Sequence, residues 1–115
     1  IAKKYDDFLK KYKDVFSLQK VNKNLTHSYQ MYTCLIKPGL RSNFLNFMKN
    51  NGVEVSAHFV PPLHKQNYLK KYSKKKLVNT DYLSKSIITL PIYPNLKDNE
   101  LKFIFKKIKN WYEKK

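Results

Sequence analysis

The chain has 115 residues, of which 42% are hydrophobic and 15% aromatic, so we expect one domain with a packed core and not a disordered tail. The formal net charge is +16, yet Arg41 is the only arginine among 24 basic residues. Lysines spread along the whole chain favour a solvated surface, because base-edge and bidentate phosphate readout favours the arginine fork.

The same composition excludes several classes of protein. The single cysteine, Cys34, excludes an internal disulfide. No apolar run approaches the ~20 residues that a membrane span needs, and no signal peptide is visible. We therefore expect a cytoplasmic protein that does not enter a membrane.

The first half of the chain predicts a helix, a strand and a second helix. Apolar residues of 1–14 recur at helical spacing, from Tyr5 to Tyr12, and the polar residues 17–26 indicate a connection. Residues 27–37 are rich in aromatic and β-branched side chains, which predicts a strand covered on both faces. Residues 41–51 predict a helix that ends at Gly52, where a left-handed residue is needed.

The stretch "GVEVSAHFVPPLH" follows directly. Its residues 53–59 alternate between apolar and polar side chains, which predicts a strand with His58 on the face opposite the core. Pro61 and Pro62 cannot donate hydrogen bonds to a sheet, so the strand must end there or lie at an edge.

The remaining elements complete a small α+β domain. Residues 65–76 predict a short helix, Asn79-Thr80-Asp81 form an N-cap cluster for another through Ser86, and residues 87–91 predict a third strand. Residues 98–112 carry the clearest helical pattern, with acidic residues in the first turn. Together these elements predict a single domain over 1–115, with a mainly antiparallel sheet of about three strands and helices packed on it.

The residues do not assemble a complete catalytic constellation. Three histidines and one mid-strand cysteine give no zinc-ligand spacing, so we expect no metal site, and Cys34 is expected in the core. With only Gly39 and Gly52, the chain has no glycine-rich phosphate loop. His58 is the leading candidate for a binding residue, because it sits at a strand end; His64 is equally well explained as a cap of the following helix.

The order of these motifs resembles the C-terminal small domain of the DegT/DnrJ-type aminotransferases, over the whole chain. The segments "HSYQMYTCLIK", "NNGVEVSAHFVPPLHKQNY" and "LVNTDYLSKSIITLPIYPNLKDNEL" are similar to the family's pattern. His58 matches the motif histidine, Phe59 stands where the family usually has tyrosine, and His64 and Tyr93 match directly. Tyr32 is similar to a residue of the aromatic strand motif.

The resemblance implies a domain of a fold-type I enzyme that depends on pyridoxal phosphate (PLP). Such an enzyme moves an amino group from glutamate to a nucleotide-linked keto-sugar, in the biosynthesis of cell-surface polysaccharides or deoxyamino sugars. It also implies that the Schiff-base lysine lies in an absent large domain. We therefore expect no catalytic residue and no bound cofactor in this chain, which would be inactive by itself.

The resemblance further implies which residues and partners matter. His58 and Phe59 would contact the sugar-nucleotide substrate, with His64, Tyr93 and Tyr32 as secondary candidates. The partners would be the chain's own large domain and the second subunit of a homodimer, with an exposed apolar patch where they pack.

Two alternatives stay open. A lysine-rich nucleic-acid-binding module would use exposed aromatic rings for stacking, and it loses that chemistry if Tyr29, Tyr32, Phe44 and Phe59 are buried. The second alternative is a stand-alone regulatory or scaffold protein that is a relic of the aminotransferase fold.

Overall fold

One central strand organises the sheet. The structure is a computed structural model that describes residues 1–73 and 75–115. Three antiparallel strands lie in the order β1-β2-β3. Their bounds are β1 (Phe16–Leu18), β2 (Tyr32–Ile36) and β3 (Ile87–Leu90). In β2 the alternate residues Tyr32, Cys34 and Ile36 are buried, so one face of the sheet carries the core.

Helices cover that face, which confirms the predicted α+β class with three antiparallel strands. The α-helices of the described residues are α1 (Ala2–Leu9), α2 (Arg41–Asn50), α3 (Val78–Ser86) and α4 (Asp98–Tyr112). The bounds of α4 are those its pattern predicted, and Glu100 accepts a hydrogen bond of 2.8 Å from the Lys97 backbone N–H at its start. None of the described helices is both long and apolar enough to cross a membrane.

Aromatic rings hold the helices against the sheet. Tyr5 of α1 stacks on Tyr32 of β2 with ring centroids 4.7 Å apart, and its ring edge meets Phe105 of α4 at 5.6 Å. At the other end of the core, Phe44 of α2 packs against Trp111 of α4 at 4.9 Å. Because such large rings bury more apolar area than any other side chains, these contacts dominate the packing.

The end of α2 follows the predicted left-handed cap. Gly52 has φ +77°, and its N–H donates to the Lys49 carbonyl at 3.0 Å. The Val53 N–H donates to the Met48 carbonyl, also at 3.0 Å, and both of those side chains are buried. This pair of bonds is the Schellman motif, and it sends the chain back along the sheet as residues 53–58.

The predicted strand over residues 53–59 is wrong. Only one isolated bridge forms there, in which Ser56 exchanges backbone hydrogen bonds of 3.2 and 2.8 Å with Thr89 of β3. The chain then turns away at Phe59, whose φ of +59° lies in the left-handed region, and Pro61 and Pro62 lack backbone donors. The alternation correctly predicted that Val53 and Val55 are buried. It also predicted a longer pairing with the sheet than the single bridge between Ser56 and Thr89.

Strand β1 takes the place of that predicted strand in the sheet, and two of its three residues, Ser17 and Leu18, lie in the segment 17–26 that was predicted as a connection. Phe16 of β1 pairs with Ile36 of β2, and its buried ring contacts Phe44 at 5.7 Å. Three residues are too few to show a period of two, which explains why the sequence pattern missed this strand.

Other boundaries also differ from the prediction. The strand predicted over 27–37 begins only at Tyr32, because Tyr29 adopts φ +48° and its N–H donates to the His27 ring at 2.9 Å. In place of one helix over 65–76, the described residues form two short 3-10 turns, Leu63–Lys65 and Lys70–Tyr72; Lys74 lies outside the described residues. The helix predicted after Asn79-Thr80-Asp81 begins earlier, at Val78, so these residues form its first turn and not its cap.

Replacing Gly52 with alanine is expected to lower the free energy of unfolding by about 1–2 kcal/mol, the usual cost of a left-handed L-residue. No atom would lie within 4 Å of the added Cβ, so the backbone conformation alone carries the cost. Chemical denaturation measures the change, with Asn50→Ala in the exposed last residue of α2 as the control. Equal stability of Gly52→Ala and the parent would contradict the left-handed cap.

Replacing Tyr32 with phenylalanine removes a hydroxyl that donates to Asp6 Oδ1 at 2.6 Å. We expect a loss of about 1–2 kcal/mol, because the lost bond has a charged acceptor and α1 loses a link to β2. Tyr29→Phe is the matched control, since no hydrogen bond of its hydroxyl is found among the described residues. A Tyr32→Phe variant no less stable than Tyr29→Phe would show that the Tyr32 hydroxyl is not structural.

Candidate functional site

A cleft of about 880 Å³ lies beside the edge of the sheet at which Ser56 pairs. Its described lining residues come from within residues 30–31, 52–58, 89–96 and 99–104. Four separate parts of the chain therefore meet there, and the cleft exists only in the folded domain. A large concave space with a few convergent polar groups is the usual form of a small-molecule site.

His58 reaches the cleft because of the turn at Gly52 and the bridge at Ser56. The bridge holds the backbone of residue 56 against β3, and the hydroxyl of Ser56 lies 2.9 Å from His58 Nε2. His58 is half-buried and lines the cleft, so one ring nitrogen is positioned by Ser56. The ring can exchange a proton or a hydrogen bond with a ligand, since histidine both donates and accepts.

Tyr93 lines the same cleft from the segment that follows β3. The hydroxyl of Tyr5 donates to the Pro91 carbonyl at 2.7 Å, and the Leu96 N–H donates to the Tyr93 carbonyl at 3.1 Å. These two bonds fix the turn, while the side chain of Tyr93 stays 45% exposed. The fold thus brings His58 and Tyr93, 35 positions apart in the sequence, to one site.

The other sequence candidates lie elsewhere. Phe59 is 76% exposed and is not among the lining residues of the cleft. Tyr32 is buried in the core, where burial and its bond to Asp6 raise the pKa of its hydroxyl above the ordinary value. Its geometry is that of a packing residue, with no open face toward a ligand.

His64 belongs to a second, smaller cavity of about 470 Å³. Its Nε2 donates to Asp81 Oδ1 at 2.9 Å, and Lys65 Nζ lies 2.6 Å from the same oxygen. The hydrogen bond from Lys65 holds the pKa of the Asp81 carboxyl below its usual value, and the bond from His64 has a smaller effect in the same direction. His64 therefore ties the turn after Pro62 to the first turn of α3, as a residue of the corner and not of the cleft.

Several lining residues were not singled out from the sequence. Glu54 and Ser56 share the polar alternation that located His58, so the same signal could have found them. Asn99 and Glu100 lie in the first turn of α4, and nothing in one sequence indicates that this turn faces residues 52–58.

Nucleophilic and metal chemistry find no support in the described residues. Cys34 is 3% exposed, as expected for a core residue, and burial raises the pKa of its thiol to about 12. Such a thiol is protonated at neutral pH and a poor nucleophile. No group of three potential ligands from histidine, cysteine, aspartate and glutamate comes together within residues 1–73 and 75–115.

The aromatic rings named for nucleic-acid stacking are mostly covered. Tyr32 and Phe44 are buried, Tyr29 is half-buried, and Phe59 is the exposed member of the set. The condition that all four rings be buried is therefore met in part: Tyr32 and Phe44 are unavailable for base stacking, whereas Phe59 is accessible.

Known proteins are similar to this chain in sequence or in fold. A protein of Methanocaldococcus jannaschii described as uncharacterized is 28% identical over 88 residues, which cover 70% of this chain and 22% of that protein. The solved structure of NtdA from Bacillus subtilis with bound cofactor PMP has a TM-score of 0.84 at 17% identity, covering 97% of this chain and 27% of that one. PseC of Helicobacter pylori, an aminotransferase involved in the biosynthesis of pseudoaminic acid, has a TM-score of 0.85 at 17% identity, covering 99% and 31%.

The chain thus spans less than a third of the length of each of these proteins. The family model for DegT/DnrJ/EryC1/StrS aminotransferases matches residues 1–109, nearly the whole chain. Two observations agree with this family match: the order of the motifs around His58 and Tyr93, and the similarity of the α+β fold to the two solved structures. The chain belongs to the DegT/DnrJ/EryC1/StrS aminotransferase family.

Proposed function

We propose that this chain is the C-terminal small domain of a PLP-dependent aminotransferase that transfers an amino group from glutamate to a nucleotide-linked keto-sugar. The reaction would serve the biosynthesis of cell-surface polysaccharides or deoxyamino sugars. The observation that carries the proposal is the family match over residues 1–109 in a chain that covers under a third of its relatives. PseC, with the same fold, is an aminotransferase of pseudoaminic acid biosynthesis.

The cofactor does not fit the groups that line this cleft. Imine formation needs a lysine amine, and a phosphate is usually held by cations or by glycine-rich backbone. None of the described residues that line the cleft is a lysine or an arginine. We therefore assign PLP to the large domain of the full enzyme and expect none to bind to residues 1–115 alone.

The role of this chain would be to complete the substrate pocket. His58, positioned by Ser56 at 2.9 Å, would hydrogen-bond the substrate, and Tyr93 would form the adjacent wall. Apolar lining from Met31, Phe103 and others would exclude water from part of the site. Phe59, although exposed, would contact substrate only where the large domain completes the pocket.

The large domain and the second subunit of a homodimer would pack on an exposed apolar surface around the second cavity. Nine large apolar side chains of residues 59–83 are exposed: Phe59, Val60, Leu63, Tyr68, Tyr72, Leu77, Val78, Tyr82 and Leu83. Leu63, Tyr72 and Leu77 of this set line the second cavity together, and a contiguous exposed apolar patch is typical of a protein interface. The His64–Asp81 bond supports the turn that presents Leu63 within it.

A test uses the full-length enzyme that contains this domain, incubated with glutamate and a panel of nucleotide-linked keto-sugars. We expect PLP absorbance and amination of at least one substrate, and His58→Ala is expected to raise KM about tenfold, since a hydrogen bond to the substrate is lost. His27→Ala, which removes a histidine outside the lining of the cleft, is the control.

The separate domain gives a second readout. Residues 1–115 alone are expected to show neither PLP absorbance nor transferase activity. Cofactor binding by the isolated domain would refute the assignment of PLP to the large domain, and a full-length enzyme that aminates no nucleotide-linked sugar would refute the substrate class.

A further inference from the structure

The charge of the cleft is opposite to that of the chain as a whole. Lysine and arginine account for 24 of the 115 residues, against 8 aspartates and glutamates. Among the described lining residues of the cleft, however, no lysine or arginine occurs, whereas two carboxylates do, Glu54 and Glu100. Lys107 lies just outside this lining, with its Nζ 5.1 Å from the centroid of the Phe103 ring and 3.1 Å from Asn51 Oδ1.

Helix α4 contributes the carboxylate of Glu100 to this lining. Asn99, Glu100 and Phe103 face the cleft, at helical spacing along one side. Lys102 lies on another side, where it lines a groove between α1 and α4 together with Lys4. Since residues three or four apart share a face of a helix, this register places Lys102 in the groove and Glu100 in the cleft. Lys107, four residues after Phe103, shares the face of Phe103, and its Nζ donates to Asn51 Oδ1.

The lining chemistry favours hydroxyl groups over phosphates. A diphosphate next to Glu54 would meet a like charge with no cation among the described lining residues to offset it. Sugar hydroxyls, in contrast, donate strong hydrogen bonds to carboxylates. The Ser56–His58 pair adds further donors and acceptors, and Thr89 Oγ1 in the same lining is buried without a hydrogen-bond partner in the described part of the chain.

On the basis of the proposed function, we propose that this cleft binds the sugar ring of the nucleotide-linked substrate. In it, Glu54 is a specificity-determining residue that accepts a hydrogen bond from a sugar hydroxyl. The diphosphate lies outside the cleft. Glu54 is exposed, and its carboxylate makes no hydrogen bond among the described residues that a ligand would have to break. Glu100, in contrast, already accepts a hydrogen bond from the Lys97 N–H.

The test compares nucleotide-sugars with the corresponding nucleotides on the full-length enzyme carrying Glu54→Gln. Calorimetric titration with UDP-N-acetylglucosamine and dTDP-glucose, and with UDP and dTDP, measures binding without requiring amination. We expect the Kd of whichever nucleotide-sugar binds the parent enzyme to rise about tenfold in the variant, since a charged hydrogen bond is weakened. The Kd of the nucleoside diphosphate is expected to stay within about twofold. Glu113→Gln, in an exposed pair with Lys109 at the far end of α4, is the control.

Two results would overturn the proposal. Tighter binding of the nucleoside diphosphate to Glu54→Gln would place the phosphates beside this carboxylate. Unchanged binding of both ligands would show that Glu54 does not contact the substrate. A parent enzyme that binds nucleotide-sugars but aminates none would refute the proposed reaction while leaving the binding comparison intact, and one that binds none would refute both.

Discussion

The stack of Tyr5 on Tyr32 is the contact on which both the core and the cleft depend. It joins α1 to the central strand, and the edge of Tyr5 meets Phe105 of α4. The same Tyr5 donates its hydroxyl to the Pro91 carbonyl, at the point where β3 leaves the sheet. Because burial raises the pKa of this hydroxyl above its ordinary value, it remains a proton donor throughout the physiological range. One side chain thus anchors the core and orients the segment that carries Tyr93.

Long periodic segments could be predicted from the sequence because the spacing of their apolar residues shows which face is buried. Helix α4 repeats its apolar residues over 15 positions, and Gly52 marks the end of α2 through its own backbone freedom. Strand β1 and the segment 53–58 could not be predicted in the same way. A three-residue strand is defined by its partner, and whether a polar–apolar alternation pairs along its length depends on how far a neighbouring strand extends.

The candidate site shows the same division between local and tertiary information. His58 was found because alternation places it away from Val53 and Val55, both of which are buried. Its relation to Tyr93 and to the first turn of α4 required the fold, since no spacing in one sequence connects residues 35 or more positions apart. His64 gives a second example, because its partner Asp81 was predicted in the N-cap of a short helix and instead lies in the first turn of α3.

The net charge of +16 acquires a meaning only when the positions of the lysines are known. Read as a total, it favours an anionic partner for the whole surface. The positions of the lysines show more than this total. The described lining of the cleft contains two carboxylates and no lysine or arginine, although lysines are frequent in the rest of the chain. Lys107 lies beside this lining, with its Nζ 5.1 Å from the centroid of the Phe103 ring. Under the proposed function, a sugar ring fits this lining through its hydroxyl groups, whereas phosphates would need cations from outside the lining, such as those of the large domain.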